Sequence, residues 1–190
     1  MIQQQLIISG IGGQGILFIT RLLAETAIAQ GLPVLTSETH GMAQRGGIVI
    51  SHLKVGAFTS PLLRPGQADG LLALKPENVA LHRYFLRSDG WIVANATAIA
   101  VVEAEHPVAT IDADALSLAM GNPQSVNLIV LGRALAQPGR FFCTAAAVEE
   151  TIRRKLAGKP LLLEGSLAAL RAGLCLCDSV ANNKQGIRQY

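Results

Sequence analysis

Short apolar runs bounded by glycine alternate along this chain with longer segments whose apolar positions recur at helical spacing. Leu6-Ile7-Ile8-Ser9 is such a run and predicts a buried parallel strand. The next segment, Ile16 to Gln30, predicts a helix with Leu17, Leu22, Ala24, Ala27 and Ile28 toward the sheet and Gly31 as its stop. Leu32 to Thr36 predicts a second strand, so the first elements form a strand–helix–strand unit, which is nearly always right-handed and parallel. Ile48 to Val55 alternates, with Val49, Ser51, Leu53 and Val55 on one face and Ile48, Ile50, His52 and Lys54 on the other.

Further along, Gly70–Leu74 and Trp91–Asn95 read as strands. Between them Lys75-Pro76-Glu77-Asn78 opens a helix that carries Val79, Leu81, Tyr84 and Phe85 inward and stops near Asp89-Gly90. Thr97 to Glu105 is ambiguous between strand and loop. Val108–Ile111 predicts a strand, and Asp112 caps a helix through Met120. Asn122-Pro123 starts another helix with Val126, Ile129, Val130 and Ala134 as its apolar stripe and Asn127 inside that stripe. Thr144 caps a helix to Leu156, Leu161–Leu174 is the last helix, and the chain after Asp178 is polar and frayed. Strands alternating with helices predict a three-layer α/β/α sandwich with a mainly parallel, Rossmann-like sheet. A single domain is expected over 1–178, with a polar tail over 179–190.

Composition narrows the function classes. The chain is 50% hydrophobic and 15% charged, which excludes disorder. The apolar surplus has two readings, an alanine- and leucine-rich core or a surface covered by a partner. Net charge is +3, but the only basic run is Arg153-Arg154-Lys155, and aromatics are 4%, too few for a base-stacking platform, so nucleic acid is not an expected partner. Cys143, Cys175 and Cys177 fit no disulfide framework and no zinc or iron–sulfur spacing; they read as free thiols of a reducing cytoplasm. No apolar run approaches the ~18–20 residues that span a bilayer, and the N-terminus lacks a signal-peptide pattern, so no membrane role is expected.

Candidate chemistry gathers in two loops. Gly10, Gly12 and Gly15 fit G-x-G-x-x-G between a strand and a helix, where backbone amides and a helix N-terminus can meet a phosphate. Glu38 follows the second strand, near where a ribose-binding acid of a dinucleotide site lies. The alternative is a tight turn whose glycines serve packing alone. The second loop is Gly41-Met42-Ala43-Gln44-Arg45-Gly46-Gly47. Arg45 offers a planar fork of donors for carboxylate or phosphate, and Gly46-Gly47 permits close approach. His40 and His52 have no carboxylate or nucleophile placed beside them by spacing and read as structural. Walker, Gly-x-Ser-x-Gly and His-Glu-x-x-His patterns are absent, and no catalytic or metal-ligating residue is assigned.

These residues carry a resemblance. Leu6 through Gly15, with Gly12-Gly13-Gln14-Gly15 at its end, resembles the opening of the gamma subunit of the 2-oxoacid:ferredoxin oxidoreductases. Gln44-Arg45-Gly46-Gly47 with Ser51 resembles that family's Arg-Gly-Gly loop and following strand, and Glu38 matches its acid before the loop. Asn127 to Gly132 and Glu164 to Gly173 resemble two later motifs, though Ser166 and Leu170 depart from the second. His40 through Gly47 is similar to the indolepyruvate branch rather than to the Tyr-Gly-Pro-Glu form of most relatives.

The resemblance implies a subunit of an enzyme that oxidatively decarboxylates a 2-oxoacid, an aryl-pyruvate such as indolepyruvate, to acyl-coenzyme A. It implies a larger partner subunit holding thiamine diphosphate, magnesium and iron–sulfur clusters, with ferredoxin as electron acceptor. The chain carries no motif for those cofactors itself. Coenzyme A is the ligand the resemblance brings near this chain, with Gly12, Gly13, Gln14, Gly15, Glu38, Arg45, Gly46 and Gly47 as candidate binding residues. Assembly is expected to be hetero-oligomeric, with a homodimer open to the isolated chain. Two other readings stand beside it: a self-sufficient NAD(P)-binding oxidoreductase using Gly10, Gly12, Gly15 and Glu38, and an interaction module whose glycine turn binds nothing.

Overall fold

The computed structural model describes residues 2–40, 46–97 and 105–175. Its six strands are β1 (Gln4–Ile11), β2 (Val34–His40), β3 (Ile48–Val55), β4 (Ala68–Ala73), β5 (Leu86–Asn95) and β6 (Val108–Ile111). The helices are α1 (Ile16–Ala29), α2 (Glu77–His82), α3 (Ala113–Ala119), α4 (Val126–Leu135), α5 (Ala145–Lys155) and α6 (Pro160–Cys175). The sheet runs β2-β3-β1-β4-β5-β6. β1, β4, β5 and β6 pair in parallel, whereas β3 is antiparallel to both of its neighbours.

That order corrects the strand–helix–strand expectation. β2 runs in the direction of β1 but is not beside it, because the chain turns back after β2 and β3 fills the place next to β1. The alternation read along Ile48–Val55 holds: Val49, Leu53 and Val55 join one core and Ile50 packs against the other. Side chains alternate across a strand, so the sheet feeds two cores. Leu6, Ile8, Leu72 and Val93 meet Ile19 and Leu22 of α1, Ile129 of α4, Val148 of α5 and Leu170 of α6. Ile7, Leu71, Ala73 and Ile92 meet Val79 of α2, Phe85, Leu86 and Leu63.

The thick face rests on close helix contact. A Cβ on Gly132 would come 2.1 Å from the Leu170 carbonyl oxygen, and one on Gly173 would come 2.1 Å from that of Ile129. α4 and α6 therefore cross at backbone distance, which gives the Asn-x-x-x-x-Gly and closing-Gly motifs a packing reason. α4 is buried all round from Val126 through Gly132, wider than the stripe expected, because it lies between the sheet and α6.

The thin face accounts for some of the remaining differences. Leu81 and Tyr84 are 48% and 56% exposed, since among the described residues no second helix covers them. α2 closes early into a 3₁₀ turn at Arg83–Phe85, and β5 already begins at Leu86, so Asp89-Gly90 lies inside a strand and is no helix stop. Ile28 is 63% exposed at the end of α1 rather than turned to the sheet. Asp112 and Thr144 cap α3 and α5 as expected, accepting from Ala115 N and Ala147 N at 2.9 and 3.3 Å. Asn122 does not cap with its side chain; a 3₁₀ turn at Pro123–Ser125 leads into α4 instead. Most of Thr97–Glu105, Cys177 and the tail lie outside the described residues.

Candidate functional site

β1 leads into α1 on the thick face, while its neighbour β4 leads into α2 on the thin one. Connections that leave adjacent parallel strands on opposite sides open a crevice at their carboxyl ends, where ligands of open α/β sheets bind. The glycine-rich turn lies at that point. Gly13 and Gly15 have φ of 99° and 75°, and Gly15 is the residue before the first turn of α1.

Four groups set the turn's shape. Gln14 N donates to Ile11 O at 3.1 Å, and the Gln14 side chain folds back. Its Oε1 accepts from Ile11 N at 2.9 Å while its Nε2 donates to Leu74 O at 3.3 Å, stapling the turn to the end of β4. Asn127 Nδ2 donates to Gly15 O at 3.4 Å, and a Cβ on Gly15 would sit 2.1 Å from that nitrogen. Finally, Gly12 N donates to Gly47 O at 2.9 Å. The two loops singled out in the sequence thus touch, because the β1–β3 ladder ends at Ile11↔Ile48 and the next residues continue it.

Not every predicted donor is open. Gly12 N and Gln14 N are both engaged, and the Gln14 amide faces inward. Among the described residues nothing takes the amides of Gly13 and Gly15. α1 begins without a side-chain cap and without an acid in its first turn, so its N-terminal amides are unfilled. Gly12, Gly13 and Gly46 are exposed, and a Cβ on Gly13 or Gly46 would meet nothing within 4 Å. Open backbone beside an uncapped helix N-terminus fits an oxyanion such as a phosphate. Arg45 and Gln44 lie outside the described residues.

Glu38 stands apart from this group. It pairs with Ser51 of β3, which pairs in turn with Ile8 of β1. That puts it two strands from β1 and level with the strand's middle rather than its carboxyl end.

The sequence reading did not anticipate the other groups that border the crevice, Asn95 from the thick side and Ser9 from the thin one. Asn95, at the end of β5, donates to Leu74 O at 3.3 Å and to Asp114 Oδ2 at 3.0 Å, and Asp114 also meets Lys75 at 3.7 Å. Buried Ser9 accepts from Asn78 Nδ2 at 3.1 Å and lies 3.0 Å from His82 Nδ1. Burial holds the His82 imidazole below its ordinary pKa, opposed by its contact with the Asn78 carbonyl. No spacing rule in the sequence links Ser9 to residues 78 and 82. His52 is structural as read: it is 4% exposed, and its Nδ1 accepts from Leu63 N at 3.2 Å. Burial first, then Lys54 and His82, lower its pKa. Among the described residues no group of three or more His, Cys, Asp or Glu could hold a metal, and no helix is long and apolar enough to cross a membrane.

The sequence pattern of the family described as pyruvate ferredoxin/flavodoxin oxidoreductase matches residues 5–176. The chain is 29% identical over 188 residues to the indolepyruvate oxidoreductase subunit IorB of Archaeoglobus fulgidus, covering 88% of this chain and 92% of the relative. It is 28% identical to the IorB of Pyrococcus horikoshii, over 96% of this chain and all of the relative (100%). In fold it is similar to the gamma subunit of a keto/oxoacid ferredoxin oxidoreductase from Geobacter sulfurreducens, with a TM-score of 0.73, 22% identity, and coverage of 90% of this chain and 96% of that one. It also matches 30% of a 2-oxoglutarate:ferredoxin oxidoreductase chain from Magnetococcus marinus with 2-oxoglutarate, coenzyme A and succinyl-CoA bound, at a TM-score of 0.74, 20% identity and 91% coverage of this chain.

Proposed function

The chain belongs to the pyruvate ferredoxin/flavodoxin oxidoreductase family, and on that premise we propose that it is the IorB-type subunit of an indolepyruvate:ferredoxin oxidoreductase. In this reading a larger subunit carries thiamine diphosphate, magnesium and iron–sulfur clusters and performs the decarboxylation, and ferredoxin takes the electrons. This chain supplies a binding surface. Gly12, Gly13, Gly15, Gly46 and Gly47 present backbone to a phosphate of coenzyme A, Gln14 holds the turn in shape, and Arg45 adds the cationic fork. Glu38 receives no ligand role. The whole assembly is a cytoplasmic hetero-oligomer, and the isolated chain is inactive.

The observation that carries the reading is the Gly12 N–Gly47 O hydrogen bond of 2.9 Å, which joins the two family motifs into one surface. A dinucleotide-binding oxidoreductase is disfavoured by the same sheet. Such a site needs the acid-bearing strand beside β1, and here β3 takes that place.

The test is co-expression with the large subunit and assay of ferredoxin reduction by indolepyruvate and coenzyme A. Arg45→Ala is expected to raise the KM for coenzyme A about tenfold or more, the scale of one lost charge-assisted contact, and Gly12→Ala to raise it as well by placing a methyl group on the exposed turn. A Cβ on Gly12 meets only Gly46 N at 3.6 Å and Gly47 O at 3.7 Å, so that variant folds normally. Saturable NAD binding by the chain alone, or turnover without a partner, would overturn the proposal.

A further inference from the structure

Lys54 is in an unusual position for a lysine. It lies on the thin face of β3, 8% exposed, between Leu35 of β2 and Gln5 of β1 in the sheet register. Lysine is seldom covered to this extent without an anionic partner, because taking a cation from water is costly unless it is paired. Among the described residues no carboxylate pairs with it. Its one close partner is the Phe58 ring, whose centroid is 5.2 Å from Nζ. In the same cross-strand row the nearest acid is Asp69, which accepts from Gln5 N at 2.6 Å and is held by Arg87.

A second cation is brought to the same place. The loop 56–67 is pinned at its start by Gly56 N donating to Pro33 O at 2.8 Å. It is pinned again where Leu63 N donates to His52 Nδ1 at 3.2 Å. Those anchors set Phe58 over Lys54, and Arg64, next in the chain after Leu63, is exposed and near enough for its charge to act on Lys54. Burial and the Arg64 guanidinium both push the Lys54 ammonium below its ordinary pKa. His52 faces Lys54 along β3, and its bond from Leu63 N keeps Nδ1 unprotonated. The pinned loop therefore gathers cations with no counter-charge.

We infer that Lys54 and Arg64, with Phe58 as one wall, form a receiving site for an oxyanion, a phosphate or carboxylate group. The site lies away from the glycine-rich turn. Lys54 pairs across the sheet with Gln5, at the start of β1, whereas the turn follows its end. Its first test is independent of the subunit reading, since the isolated chain suffices. Two sources offer this chemistry: a small phosphorylated or carboxylated molecule, and an acidic side chain of a partner subunit.

The experiment follows the Lys54 Cε resonance by NMR in full-length chain carrying ¹³C-labelled lysine, titrated with inorganic phosphate and then with acetate. Lys54→Met identifies the resonance, and its apolar stem keeps the packing against Phe58. If a small ligand is the source, phosphate binds saturably to the wild type and raises the Lys54 pKa. Arg64→Ala then weakens that binding about tenfold, and Lys54→Met abolishes it. If a partner carboxylate is the source, Lys54 is fully charged in the assembled complex and insensitive to phosphate there, and Lys54→Met weakens assembly about tenfold or more. Arg64 is exposed, so its variant keeps the test intact should Lys54→Met not fold. The inference is overturned if phosphate shifts Lys54 in neither setting and Lys54→Met assembles normally. It is equally overturned if phosphate binds the wild type and Lys54→Met with the same measurable affinity.

Discussion

The two faces of the sheet are built on different terms. On the thick face, under α1, α4, α5 and α6, the buried polar groups are neutral and bonded in pairs, such as Thr20 to Ser51 at 2.9 Å and Thr26 to Thr151 at 3.0 Å. On the thin face, under α2 and the loop 56–67, the sheet carries His52 and Lys54, both buried. Ser9, Asn78 and His82 form a network beside them. The thick face sets distances between elements, whereas the thin face holds titratable groups. The crevice between β1 and β4 belongs to both, because Asn127 reaches its turn from the thick side and Asn78 reaches Ser9 from the thin one. A ligand surface is thus hung on rigid packing yet bordered by groups that can change charge.

If the thick face works through fixed distances, removing them should cost most. Gly→Ala in a helix normally gains about 1 kcal/mol through propensity. At Gly132 and Gly173 the added carbon would lie 2.1 Å from a carbonyl oxygen of the facing helix. Either substitution is expected to destabilise by about 3 kcal/mol or more, read as a lower urea midpoint, because overpacking forces the α4–α6 crossing apart. A gain in stability would mean that these helices are not in backbone contact.

The next effect sits at the crevice. Gly15→Ala combines a φ of 75° with the Asn127 amide in the way, whereas Gly13→Ala, at φ 99°, meets nothing within 4 Å. Strain alone predicts about 1–2 kcal/mol for each. Gly15→Ala is expected to cost about 1 kcal/mol more than Gly13→Ala, the scale of a displaced hydrogen bond. Adding Asn127→Ala should erase that difference. Equal costs in the two single variants would show that Asn127 yields freely and does not fix the turn.

How far this division was legible in the sequence depends on the range of each signal. β3 was readable to both ends because alternation is local and its two faces differ. Asp112 and Thr144 marked helix starts for the same reason, since a cap acts within one turn. The place of β2 was not readable, because sheet order is decided by pairings between segments that no periodicity connects. Gly132 and Gly173 carried no signal beyond their resemblance, since a close helix crossing leaves no mark in either helix alone. Leu81 and Tyr84 looked inward because the pattern assumed a full helix layer, whereas among the described residues the thin face has α2 alone. At the site, the glycine turn stood out from spacing, yet the inward fold of Gln14 depends on Leu74 O, sixty residues away. Lys54 read as a polar member of an alternating strand; only the loop that covers it turns it into a charge with no carboxylate partner among the described residues.

The smallest effect is a slope, and it separates the two faces by pH. Burial lowers the pKa of both His52 and His82 from the ordinary 6.5, with Lys54 and His82 adding to the effect on His52. The unfolded chain therefore takes up protons before the folded one, so stability falls as pH drops below about 6.5 and levels off only below the folded values. On the thick face the sign is the same but the window differs. Glu149, whose carboxyl is held low chiefly by its hydrogen bonds with Arg171, loses its contribution only as pH falls below the ordinary 4.5. Between about pH 7.5 and 5 the urea midpoint should thus respond to His52 and His82 and not to Glu149. His52→Asn, whose side-chain oxygen can accept from Leu63 N in place of Nδ1, is expected to flatten the slope, and His82→Asn to flatten it further. A midpoint that does not move over this range in the wild type, or an unchanged slope in the double variant, would mean that the thin face is not where this fold keeps its titratable groups.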